Sequence, residues 1–143
     1  MMKHLIVALF ALCLASPAFS QGATVGQGAT PYHLVAANST NSTLISAGQH
    51  TVYSVELGGV GSVPAFLKIY DKATAPTCGT DTPVKVLIIP AAATAANGAG
   101  SNVPFPVGIN ILNGLGICIT GVVTDADTTA VAATTFVINI DYK

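Results

Sequence analysis

The chain has 143 residues, of which 8% are charged and 51% hydrophobic, with no Trp and a formal charge of −1 at pH 7. Its only basic residues are Lys3, Lys68, Lys72, Lys85 and Lys143, too few to neutralise a run of phosphates, which argues against a nucleic-acid partner. The high apolar fraction is the reverse of a disordered chain, and the length allows one domain with its own core.

In chain order, residues 1–20 read as a secretory signal. Lys3 and His4 form a short polar start, and Leu5 to Leu14 is an apolar run. Ala18-Phe19-Ser20 then supplies the small residues a signal peptidase reads, so cleavage before Gln21 is expected. The apolar run is too short to span a bilayer, which takes about 20 residues. Cys13 follows Leu12, where a lipobox needs a small residue, so lipidation is not expected. The cleaved chain keeps four Lys against six acids, and two cysteines, Cys78 and Cys118. A single Cys pair in an exported chain reads as one disulfide. Two Cys alone do not make a tetrahedral zinc site.

Gln21 to Pro31 carries Gln-Gly-Ala-Thr twice and reads as a flexible arm, or as an extended strand that docks on a neighbour. From Tyr32 onward the pattern has period two. Tyr32 to Ala37, Thr43 to Ala47, His50 to Leu57 and Phe66 to Tyr70 read as strands. In His50 to Leu57, strict alternation sets Val52, Ser54 and Glu56 against Tyr53, Val55 and Leu57. Asn38-Ser39-Thr40 and Asn41-Ser42-Thr43 match the N-glycosylation pattern, but a polar turn is expected there. Asp71 to Pro83 reads as a long loop. Val84 to Ile89 is apolar on both faces except at Lys85, the pattern of a buried strand. Ala91 to Gly100 reads as a loop. Val103 to Val107 is interrupted by Pro104 and Pro106, which places it at an edge or turn. Asn113-Gly114, between Ile109–Leu112 and Leu115–Thr120, is the strongest short hairpin signal. Thr124 to Thr129 reads as a polar loop. Thr135 to Tyr142 closes the chain with Phe136, Ile138, Ile140 and Tyr142 on one face. About eight short strands without an amphipathic helix predict a single antiparallel β-sandwich or jelly roll over residues 32–143.

Candidate sites are few. His33 and His50 have no nucleophile motif near them, and no Gly-x-Ser-x-Gly elbow is present, so no catalytic residue and no cofactor are expected. Each histidine is expected on a strand surface. Asp125 and Asp127 offer hard oxygen ligands and are a weak calcium candidate, although calcium takes six to eight ligands and the EF-hand pattern is missing. The alternating last strand with its penultimate Tyr142, together with the Gln21–Pro31 arm, fits strand exchange between copies of the pilin type. That reading makes Gln21, Pro31, Phe136, Ile138, Ile140 and Tyr142 candidate assembly residues.

The stretch Leu67-Lys68-Ile69-Tyr70-Asp71-Lys72-Ala73-Thr74-Ala75-Pro76-Thr77-Cys78-Gly79-Thr80-Asp81-Thr82-Pro83 resembles a family of small β-rich accessory virion proteins of tailed phages. Phe105 to Ile109, Gly114 to Thr120, Thr124 to Ala133 and Val137 to Lys143 carry the same resemblance, which covers most of the chain after Leu44. It implies a structural role with no catalytic residues, here as an exported version. The expectation is a non-enzymatic structural or assembly subunit, exported or on a virion surface, with copies of itself or other structural proteins as partners. The alternative is a secreted binding module for a glycan or cell-surface ligand. The mass of the exported protein should correspond to a chain beginning at Gln21; a mass that includes Met1 to Ser20 rules out the signal reading.

Overall fold

The computed structural model describes residues 28–143; the expected signal segment, residues 1–20, and Gln21 to Gln27 lie outside the described residues. The described chain is all-β. Its strands are β1 (Thr30–Val35), β2 (Thr43–Ala47), β3 (His50–Gly59), β4 (Ala65–Asp71), β5 (Lys85–Ile89), β6 (Ala99–Ile111), β7 (Gly114–Thr120) and β8 (Phe136–Tyr142). They form two four-stranded sheets with orders β1-β8-β3-β6 and β2-β7-β4-β5. All pairings are antiparallel. Four of them are nested: β4 with β5, β3 with β6, β2 with β7 and β1 with β8. The chain is therefore a long double ribbon folded back between β4 and β5. Successive pairs of the ribbon fall in alternate sheets, which is a jelly-roll sandwich.

Period-two alternation places the core. Ile138 and Ile140 from β8, Val55 and Leu57 from β3, and Leu67 and Ile69 from β4 are buried between the sheets. Leu115, Ile117 and Ile119 from β7 complete the layer. Burying such a side chain stabilises the fold by about 1.5–3 kcal/mol. All seven residues of β7 are buried, because loops also cover its outer face. There Gly116 lets Pro76 approach; a Cβ at Gly116 would stand 2.9 Å from the proline ring.

Several local expectations change. Asn113-Gly114 does not close a hairpin, since β6 and β7 lie in different sheets. Neither residue has positive φ, so the type I′ turn that this dipeptide favours is not formed. Gly114 is needed for space, because a Cβ there would run into the Lys72 carbonyl oxygen. The corner is fixed by Asn113 N–H, which donates to Asp71 Oδ1 at 2.6 Å, and by Gly48 N–H, which donates to Asn113 O at 3.0 Å. In β3 the alternation slips between Val52 and Ser54, so Val52 and Val55 both face the core. Strict alternation would have placed them on opposite faces. The proline-interrupted Val103–Val107 lies within edge strand β6, whose pairing with β3 slips at the same point, and Gly108 there has φ +72°. Val84 to Ile89 is not a doubly covered strand: β5 stands at a sheet edge and Ile88 is 62% exposed.

The Asn38–Thr43 segment is a turn held by Asn41, at φ 51°. Its buried amide oxygen accepts Ala37 N–H at 2.7 Å, and its amide nitrogen donates to Ser39 O at 2.9 Å. Cys78 and Cys118 form a disulfide across 40 residues, with Cα atoms 6.1 Å apart. It ties the β4–β5 loop to the outer face of β7. Replacing both cysteines with serine should lower unfolding free energy by about 4 kcal/mol by the loop-entropy relation. Chemical denaturation of the oxidised wild type and the double variant measures this; equal midpoints would show that the tie contributes nothing.

Candidate functional site: an apolar groove and the covered outer face

The two sheets part at the end where β3 turns into β4, leaving a groove of about 350 Å³. The Gly61–Ala65 turn forms one wall, and Gly121 with Thr129–Ala132 forms the other. Phe136, at the start of β8, supplies the floor. Small residues shape the space. A Cβ on Gly61 would come within 3.3 Å of the Phe136 ring, and one on Gly121 within 3.0 Å of the Thr129 methyl. No titratable side chain lines the groove. Its hydroxyls include Thr129 Oγ1, which donates to Asp127 Oδ1 at 2.6 Å, and Thr135 Oγ1, which donates to Ala132 O at 2.6 Å. The groove can therefore hold an apolar group by contact, and its lining supplies no acid, base or nucleophile pair.

Asp127 holds the second wall. Its Oδ2 accepts Val122 N–H at 2.7 Å, and its Oδ1 also accepts Thr129 N–H at 3.0 Å. Desolvation pushes the Asp127 carboxyl up, but the Thr129 hydroxyl and the Thr129 and Val122 N–H groups outweigh it and hold the group down at about 2. This carboxylate closes its own loop. Among the described residues no group of three or more His, Cys, Asp or Glu is placed to hold a metal ion.

The outer face of the second sheet is covered around Lys68 and Tyr70. Lys68, Tyr70 and Phe66 alternate outward on β4. Lys68 is fully buried, and its Nζ donates to Thr124 O at 2.5 Å. Tyr70 is also buried and its hydroxyl has no partner among the described residues. Burial, then the nearby Asp125 and Asp81 carboxylates, push its phenol up to about 12. The β4–β5 loop lies over this face. It is strapped by the disulfide, by the Lys72–Asp81 ion pair and by Thr77 N–H, which donates to Asp81 at 2.6 Å. Alternation showed that Lys68 points outward; nothing in the local sequence shows that a loop folds over it.

The remaining candidates lie elsewhere. His33 is exposed on β1 and meets Asn139 Oδ1 at 2.7 Å. His50 Nε2 meets Ala47 O at 3.0 Å, and its ring stands edge-on to Tyr142, with centroids 5.1 Å apart. The two histidines are not brought to one site with a nucleophile. Phe136, Ile138 and Ile140 are buried in the core, and β8 is paired on both sides by β1 and β3. Pro31 is exposed on edge strand β1, and Gln21 lies outside the described residues. No helix among the described residues is long and apolar enough to cross a membrane.

No protein-family model and no curated protein matches the chain. Among solved structures it is similar to the coat protein of tobacco streak virus, with 14% identity, 81% of this chain and 88% of that chain covered, and a TM-score of 0.31. A likeness of that size says nothing of what this chain binds or builds.

Asp127 gives the wall a pH dependence. Its folded-state pKa lies below its ordinary value of 3.8, so its contribution to stability is complete above that value and is lost as pH falls toward about 2. Wild-type stability should fall across this window, and Asp127→Asn should flatten the fall. Parallel acid-unfolding curves for the two proteins would show that the carboxylate does not hold the loop.

Proposed function

We propose that the protein is an exported, non-enzymatic structural subunit that works by packing against other protein surfaces, as a virion-associated or surface-assembly component. The observation that carries this reading is the apolar surface running from the groove onto the outer face of the second sheet. Val63, 65% exposed, lines the groove. Val122 and Val123 follow directly on its Gly121 and are exposed. Phe66 lies one position beyond Ala65 and faces the exposed Ile88 across the β4–β5 pair. Contiguous exposed apolar surface of this kind marks an interaction site.

Low charge supports the same reading, because few ions must be desolvated when such a surface is covered. The resemblance of the Leu67–Pro83 stretch to accessory virion proteins favours a virion, and the signal segment favours export. A glycan-binding module is less favoured. A sugar needs convergent hydrogen-bonding groups, and the Thr129 and Thr135 hydroxyls of the groove are already engaged.

The test is the size of the purified exported protein, by multi-angle light scattering and electron microscopy. Oligomers, fibres or particle-bound protein are expected. A monomer at every concentration that binds no particle overturns the proposal.

A further inference from the structure

We propose that β5 is the strand through which two copies of this chain pair, edge to edge and antiparallel, about a two-fold axis at Leu87. The inference rests on the structural-subunit reading and names its contact.

The two sheets have four edges: β1, β6, β2 and β5. An open edge is a template for another strand, and proteins blunt it with proline, bulges, charge or shortness. β1 contains Pro31. β6 contains Pro104 and Pro106, and its register slips. β2 slips between Leu44 and Ser46. β5 is short, but it contains no proline, no register slip and no positive φ. Its one charge, Lys85, sits at its first residue.

Its side chains also read as those of a strand covered on both faces. Leu87 and Ile89 are buried against the core, while Ile88 and Val84 are 62% and 50% exposed. Val-Lys-Val-Leu-Ile-Ile is the composition of an interior strand, placed where the described residues leave one edge and part of one face uncovered.

Backbone direction sets the register. Lys72 N–H donates to Gly114 O and Ile69 O accepts Val84 N–H, both at 2.8 Å, so on β4 Lys68 and Tyr70 turn their backbone groups to β7 while Ala65, Leu67 and Ile69 turn theirs to β5. Their register partners Lys85, Leu87 and Ile89 therefore turn their N–H and C=O groups to β4, and by alternation those of Val86 and Ile88 point to the free edge. A two-fold axis at Leu87 then pairs Leu87 with Leu87 of the second copy, and Lys85 with Ile89 of the second copy. On the outer face Val86 meets Ile88 of the second copy, an apolar cross-strand pair. Charge selects this arrangement. An in-register parallel pair would set Lys85 against Lys85, whereas the two-fold pair sets each Lys85 beside an isoleucine.

A five-residue edge buries less than the ~1,200 Å² total of a stable interface. Phe66 on β4, opposite Ile88, extends it on the outer face. The pairing is therefore reversible and concentration-dependent.

The experiment uses the oxidised exported chain, sedimentation velocity over a concentration series, and amide hydrogen exchange. Wild type should shift from monomer to dimer, and the Val86 and Ile88 amides should exchange more slowly as it does. Ile88→Lys should weaken dimerisation at least tenfold. Val107→Lys, on the β6 edge at a residue 93% exposed, should leave it unchanged. Undiminished association of Ile88→Lys, or Val86 and Ile88 amides that do not slow on dimerisation, places the contact elsewhere and overturns this inference while the structural reading stands. A wild type that remains monomeric and binds no particle overturns both.

Discussion

The first half of the chain pairs with the second half in reverse order, and the rest of the structure follows from that pairing. β4 meets β5 at the fold-back, and β1 meets β8 at the open end of the ribbon. Each step outward along the ribbon moves to the other sheet. Consecutive strands such as β6 and β7 must therefore cross between sheets, and their connections become corners. The interior is closed because both sheets turn the same alternate residues inward.

The sequence carried the repeating part of this plan and missed the part that depends on three dimensions. Alternation in Phe136 to Tyr142 and Phe66 to Tyr70 marks the strands and their inner faces, because period two is a property of a single strand. The cysteine pair was legible from export and from an even count. Asn113-Gly114 misled because its hairpin preference is local, while the Asp71 carboxylate and the Lys72 carbonyl hold the corner from another strand. Burial of Lys68 was invisible because its cover comes from Thr124, far along the chain. β5 misled for the opposite reason, since its composition describes a covered strand and the single chain leaves it at an edge. The groove had no signature beyond its small residues, Gly61, Ala65 and Gly121.

The acids show how so few charges are used. Asp71 is subject to desolvation that raises its pKa, yet the N–H groups of Asn113, Leu112 and Gly114 hold its carboxyl below the ordinary range. Asp81 is lowered by Lys72 and by Thr77 N–H. Asp141 accepts the Ser54 hydroxyl at 2.6 Å. With Asp127, these side chains act as acceptors that satisfy loop and strand donors, which backbone and hydroxyl groups require when solvent is withdrawn. Most of the negative charge is thus committed to holding connections, and the surface left over is neutral and small-residued.

The outermost pairing also has a consequence in time. Of the described strands β1 is synthesised first and β8 last, yet each is the other's neighbour, and β8 fills the space between β1 and β3. The first sheet therefore has a gap until the final strand has left the ribosome. Contacts of such long sequence separation form slowly, because the chain must close large loops before it gains from them. Until then the inner face of β3 and the edge of β1 stand open.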